Sequence, residues 1–170
     1  YDVRRGELAQ IPSLDLELFT NQLNINNFIE REFWSLETGI DLKYQFNYST
    51  PKTQARRLVP NYAQYAGGIY SVIKYKLSPK LTAEAGLRYD IAKYEVKKWY
   101  DLSTWENLYA ATFPQFYVKT EGNRVFAKPN LTFKNLSFNA GLDFQPTSSF
   151  DIKLNYNKMG RTPNMAELFG

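Results

Sequence analysis

The residue types that do most enzymatic chemistry are missing from this chain. Its 170 residues include no His and no Cys. An imidazole-activated nucleophile, a reactive thiol, a disulfide framework and an ordinary His/Cys zinc site are therefore excluded. Gly67-Gly68 is followed by Ile69 and Tyr70, without the Lys-Ser/Thr of a phosphate-cradling loop, so no cofactor is implied. Asp15 and Glu17, two apart, have the spacing of a carboxylate pair on one strand face. Solvated residues on a wet face account for them better, and no enzyme is expected. What remains is binding chemistry. Arg56-Arg57 offers two guanidinium forks to a carboxylate or phosphate. Lys97-Lys98-Trp99-Tyr100 places charge beside rigid aromatic surface, suited either to a ligand or to a membrane interface with lipid headgroups. Nothing is organised to stack and neutralise RNA, and a net charge of +4 is far from a nucleic-acid-binding signature.

The elements that carry these groups read as strands. From Trp34 to Tyr48, the even positions are Trp, Leu, Thr, Ile, Leu, Tyr, Phe and Tyr, and the odd positions are polar or Gly. Successive side chains of a strand point to opposite faces, so one wall is apolar and the other wet. The same alternation gives strands over 14–26, 33–48, 64–77, 80–97, 136–145 and 150–157. In the fourth, Leu81, Ala83, Ala85, Leu87, Tyr89 and Ile91 oppose Thr82, Glu84, Gly86, Arg88 and Asp90. The fifth sets Leu136, Phe138, Ala140, Leu142 and Phe144 on one face, and the sixth Phe150, Ile152, Leu154 and Tyr156. The first is irregular, because Leu14, Leu16 and Leu18 are even while Leu23 and Ile25 are odd. A bulge near 19–22 would restore its register.

Length decides what the apolar wall touches. Soluble strands usually run to about 5 or 6 residues, whereas a tilted strand needs roughly 9 to 11 to cross a bilayer. A mean hydropathy of −0.48 excludes apolar helical spans but not a barrel, whose lumenal residues dilute the average. Aromatics at 16% suit the girdles at its two interfaces. The connections alternate in the same sense. Short links join the first strand to the second, the third to the fourth at Ser78-Pro79, and the fifth to the sixth at Pro146-Thr147-Ser148-Ser149. Long ones span 49–63 and 98–135. Short periplasmic turns and long extracellular loops are the habit of outer-membrane barrels. Glu37-Thr38-Gly39-Ile40, Glu84-Ala85-Gly86-Leu87 and Asn139-Ala140-Gly141-Leu142 each put a Gly on the polar face. That Gly relieves curvature or admits something packed on the lumenal wall.

The C-terminal stretch carries a resemblance. Asp151-Ile152-Lys153-Leu154-Asn155-Tyr156-Asn157-Lys158 followed by Arg161-Thr162-Pro163-Asn164-Met165-Ala166-Glu167-Leu168 resembles a late barrel strand of TonB-dependent outer-membrane receptors, with their Arg-x-Pro-Asn/Ser-x-x-Glu-Leu exit. Ala85-Gly86-Leu87-Arg88-Tyr89-Asp90 is similar to a mid-barrel strand of that family, and Arg57-Leu58-Val59-Pro60-Asn61-Tyr62 to a loop-to-strand entry. The resemblance implies an all-β antiparallel up-and-down meander of about six long strands, part of a barrel of about 22 whose lumen holds a plug domain. Six strands cannot close such a barrel. The chain is expected to be a central-to-late section of it, with the plug and remaining strands elsewhere.

The resemblance further implies a Gram-negative outer-membrane location, lipid around the wall, and active import of a scarce nutrient through TonB. A ferric siderophore or similar iron chelate is the expected ligand. Arg56, Arg57, Tyr62, Trp99 and Trp105, in or beside the long loops, are the expected ligand contacts. Tyr62 and Trp99, near the ends of adjacent strands, are expected to meet at one vestibule. A passive porin, an adhesin and a soluble carbohydrate-binding β-module are the alternatives.

Overall fold

The computed structural model describes residues 15–49 and 59–169. Arg56 and Arg57 lie outside these residues. The chain forms β1 (Leu16–Glu30), β2 (Trp34–Ser49), β3 (Asn61–Ser78), β4 (Leu81–Asp101), α1 (Leu102–Leu108), β5 (Tyr117–Glu121), β6 (Arg124–Ala127), β7 (Asn130–Thr147), β8 (Phe150–Lys158) and α2 (Met165–Phe169). The wall is an antiparallel meander in the order β1-β2-β3-β4-β7-β8, open at both edges. These are the six strands expected from alternation, in that order.

Register places the apolar sets of β2, β3, β4, β7 and β8 on one face, with Leu23 and Ile25 of β1. Ile40 stands opposite Ile25 and Ile69, Ile69 opposite Tyr89, Tyr89 opposite Leu136, and Leu142 opposite Leu154. Most of this face is exposed, including Leu87 at 56% and Leu154 at 68%. A soluble sheet would cover such a face with a second layer. Here the apolar stretches Trp34 to Tyr44, Tyr65 to Tyr75 and Leu81 to Ile91 each have the length of roughly 9 to 11 residues that a tilted strand needs to span hydrocarbon.

The upper edge of this apolar band descends strand by strand. Tyr65, on its edge in β3, is opposite Lys93. Ile91, on its edge in β4, is opposite Lys134, and Phe138 in β7 is opposite Lys158. Ladder rungs run perpendicular to strands, so in strands tilted to the membrane normal a horizontal boundary must slip in register at each step. The lysines record that slip. All the short turns, at 31–33, 79–80 and 148–149, lie at the opposite end.

Above the band the polarity inverts. On β4, Lys93, Glu95 and Lys97 continue the formerly apolar face, while Ala92, Tyr94 and Val96 turn inward and are buried. Leu131 and Phe133 of β7 turn inward beside them. The same inversion removes the need for the bulge expected in β1. Its pairing with β2 runs unbroken from Leu16 to Glu30, which leaves Leu16 and Leu18 on the inner face and Phe19, Leu23 and Ile25 on the apolar one. Glu17 falls on the outer side opposite Tyr48, so Asp15 and Glu17 form no pair facing the lumen.

The long connection after β4 is more ordered than a loop. β6 continues β7 in one register along β4, interrupted at 128–129, where Val96 N–H donates to the Pro129 carbonyl at 2.9 Å. β5 adds to the edge of β6. Trp105 of α1, Val125 and Ala127 form a small core, flanked by Tyr100 and Tyr109. The wall thus rises well beyond the band.

An arginine at position 87 would face lipid near mid-band. Leu87→Arg should lower insertion and destabilise the inserted protein by about 2–4 kcal/mol, while Arg88→Leu, which breaks the Asp41 and Asp90 ion pairs but puts no charge into lipid, should insert with the parent's yield. Folding of the full-length receptor into lipid vesicles, followed by gel mobility against denaturant, measures both. Equal defects would refute the facing.

Candidate functional site

The inner face holds the polar groups, and an open concavity of about 800 Å³ lies against it. At its centre is Arg88. The guanidinium donates from Nε to both Asp90 oxygens at 2.9 and 3.0 Å, from Nη2 to Asp90 at 2.7 Å, and from Nη1 to Asp41 at 2.6 Å. Tyr70 lies with its ring 5.7 Å from this cation. Its hydroxyl donates to Glu37 Oε1 at 2.9 Å and also sits 3.0 Å from Asn26 Oδ1. Four strands are tied by one cluster. Arg88 and Asp90 meet because i and i+2 share a strand face; Asp41 arrives only through register, two strands away.

Glycines make room for this layer. Gly39 is opposite Tyr70, Gly68 opposite Asp90, Gly86 opposite Asn139 and Gly141 opposite Asn155. In each pair the longer side chain lies over the glycine, in space that a Cβ would invade. The neighbouring strand's own side chain therefore occupies the wall, rather than a separate body.

Above this layer a strap crosses the inner face. After β8 the chain passes β7, with Gly160 N–H donating to Ser137 Oγ at 3.1 Å and Asn135 Nδ2 to Thr162 Oγ1 at 3.0 Å. It then reaches β4, where Tyr94 Oη donates to the Pro163 carbonyl at 3.3 Å. Met165 of α2 is buried with Ala92, Tyr94 and Val96, and Leu168 and Phe169 pack beside it. The short helix is started by a capping box. Glu167 N–H donates to Asn164 Oδ1 at 2.9 Å, and Asn164 N–H donates back to Glu167 Oε2 at 3.0 Å. Arg161 clamps the same carboxylate with both terminal nitrogens, at 2.9 and 2.7 Å. Arg161 and the Asn164 N–H hold the Glu167 carboxyl below its ordinary value. Arg-x-Pro-Asn-x-x-Glu-Leu is thus a self-contained turn whose Leu faces the shelf.

Among the described residues, Tyr62, Trp99 and Trp105 are not brought together. Tyr62 is on the inner face, with its ring edge-on to Tyr94 and its hydroxyl donating to Gln45 Oε1 at 3.3 Å. Trp99 is on the opposite face, opposite Phe126, with the Arg124 guanidinium 4.6 Å over its ring. Alternation along the continuous strand β4 keeps Tyr62 and Trp99 apart, so the shared vestibule is not formed by this pair. Trp105 is 6% exposed inside the loop core. Beside it, burial pushes the Tyr100 phenol up to about 12. Sequence reasoning passed over Arg88, Tyr70 and the Arg161–Glu167 clamp as binding groups. The i, i+2 spacing of Arg88 and Asp90 was the available signal.

A family model described as TonB dependent receptor-like, beta-barrel, matches residues 8–170. The chain belongs to this family. TonB-dependent receptors are transport proteins rather than enzymes, and they sit in the Gram-negative outer membrane. No curated protein matches the chain. Among solved structures it is similar to the ferric-catecholate import receptor Fiu of E. coli K12 in its open form, at 14% identity and a TM-score of 0.57. The likeness covers 87% of this chain and 26% of that receptor, so the chain spans about a quarter of its length. At that identity the likeness establishes the fold. For this TonB-dependent receptor wall, the family's orientation puts the short turns in the periplasm and the strap and loop core at the extracellular end.

The strap's clamp gives a pH test. A carboxyl with a lowered folded-state value contributes stability fully present above its unfolded value and lost as pH falls through the folded one. Amide exchange over 164–168 in the full-length receptor should therefore stay slow through the ordinary Glu range and accelerate only below it. Asn164→Ala should weaken the helix by about 0.5–2 kcal/mol and accelerate exchange at neutral pH. Unchanged exchange in that variant would remove the capping box from the account.

Proposed function

We propose that this chain is part of the barrel wall of an active-transport receptor importing a scarce nutrient, a ferric siderophore or similar iron chelate, energised through TonB. The observation that carries the transport reading is the two-sided wall: an apolar band of membrane-crossing length outside, and an ion-paired polar surface inside. The iron chelate is supported by the solved relative, itself a ferric-catecholate import receptor. A plug domain and the remaining strands of the same receptor complete the lumen and carry the contact with TonB. Outer-membrane lipid surrounds the outer face.

Ligand is met at the extracellular end of the inner face. Tyr62 presents its ring there, and Arg56 and Arg57 precede it by a few residues. Two guanidinium groups a few residues along the chain from an aromatic side chain suit an anionic chelate, since Arg and Tyr are frequent affinity hot spots. Trp105 acts from within the loop core, by holding its shape. Trp99 points away from the lumen, which makes it the internal control of this reading.

Uptake of a ferric catecholate by cells carrying the full-length receptor tests the assignment. Arg56→Ala with Arg57→Ala should weaken apparent affinity about tenfold, and Tyr62→Ala about fivefold, each at normal surface level. Trp99→Ala should leave uptake unchanged. Parent-like uptake by both the double arginine variant and Tyr62→Ala would discard these contacts.

A further inference from the structure

We infer that the outer wall of β1, β2 and β3 is an interface on which a second copy of the receptor docks within the membrane. The inference rests on the membrane-wall reading and is independent of the transported ligand. It starts from an interruption of the apolar band. Asn27 stands opposite Thr38, and Thr38 opposite Ser71, so one rung of the ladder puts three polar side chains on the outer face. The outward rung above carries Ile25, Ile40 and Ile69, and the one below Ile29, Leu36 and Ile73. On β4 and β7 the same rung continues as Leu87 and Phe138. Thr38 lies close to the middle of the apolar stretch of β2, and Ser71 close to that of β3. The polar row is therefore near mid-depth in the hydrocarbon.

The wall does not satisfy these groups. Among the described residues, no side-chain hydrogen bond is made by Asn27, Thr38 or Ser71, whereas Asn26, one residue away on the inner face, accepts from Tyr70. Asn27 is exposed, and Thr38 and Ser71 are half-buried. Hydrocarbon offers neither donor nor acceptor, so amides and hydroxyls left unbonded there are costly. A strand pairing with the open edge of β1 would lie about 4.8 Å from β1 but roughly 10 and 14 Å from β2 and β3. It can reach Asn27 and not the other two. A group that satisfies the whole row must approach from the outer side.

Depth and chemistry select a second copy. A two-fold axis along the membrane normal keeps each residue at its own depth, so a copy meets this row with the same row. Asn, Thr and Ser side chains each donate and accept, and the rung carries no charge, so the row is complementary to itself. Convex walls touch along few strands, and the row is three strands wide, roughly 10 Å. The aliphatic rungs on either side then pack around the polar centre and keep lipid from it. Polar side chains join membrane segments in this way when lipid cannot bond them.

Energy transfer between donor- and acceptor-labelled copies of the full-length receptor, reconstituted together in phospholipid vesicles and diluted with lipid, tests the interface. The unaltered receptor should transfer energy above the random-collision level. Asn27→Leu with Thr38→Val and Ser71→Ala should weaken association about tenfold. That variant is more apolar toward lipid, so it should insert at least as well as the parent, as gel mobility reads. Thr132→Val, on the outer side of β7 above the band, should associate as the parent does. Random transfer by the folded, unaltered receptor would overturn the proposal, whether lipid or a different protein covers the row. Association retained by the triple variant, or lost equally in Thr132→Val, would also overturn it. A receptor that did not enter vesicles would refute the membrane-wall reading together with this inference, whereas random transfer by an inserted receptor refutes this inference alone.

Discussion

A backbone that crosses hydrocarbon has no water to bond its N–H and C=O groups, so every one must find a partner in the protein. Uninterrupted ladders meet that demand in this wall. β1 pairs with β2 from Leu16 to Glu30 without a bulge, β4 pairs with β7 from Leu81 to Glu95, and irregularities are confined to the turn ends. Once the ladder is unbroken, alternation leaves each side chain no choice of face. The apolar band, the lysines at its upper edge and the ion-paired inner layer are all consequences of that one register.

The inner layer resolves a conflict that the ladder creates. Strands sit about 4.8 Å apart, which is close for residues as large as Tyr70 and Arg88 on neighbouring positions. Gly39 opposite Tyr70, and Gly68 opposite Asp90, leave room for the Tyr70 ring and the Arg88–Asp90 pair to lie flat. Asp41 and Asp90 then satisfy the guanidinium without help from outside the wall. The polar face is therefore a preassembled surface.

Polarity inversion above the band shows what the fold does when the solvent changes. Inside the membrane the outer face must be apolar; outside it, water wets the outer face and the inner face becomes the place to bury Tyr94, Val96 and Phe133. The strap covers that inner shelf with Met165, and a second core around Trp105 stiffens the extension of β4. The rim opposite the short turns is in this sense a pair of small cores built on the ends of the long strands.

Alternation by itself determined the six long strands and most of their apolar sets, because a two-residue period is a local property, and the short turns then implied a meander. Arg161 to Leu168 stood out through its resemblance to a family exit pattern, and its capping box, which closes within four residues, came from the structure. Alternation misplaced the upper parts of the strands. With one solvent along the whole strand, alternation makes Leu16 and Leu18 a slipped register and starts the fifth strand at Leu136, whereas β7 starts at Asn130. Only the tertiary structure decided that Asp41 reaches Arg88, that Trp105 is core, and that Tyr62 and Trp99 lie on opposite sides. Those facts depend on which strand lies beside which and at what register, and pairing between distant segments leaves no trace in the local order of residues.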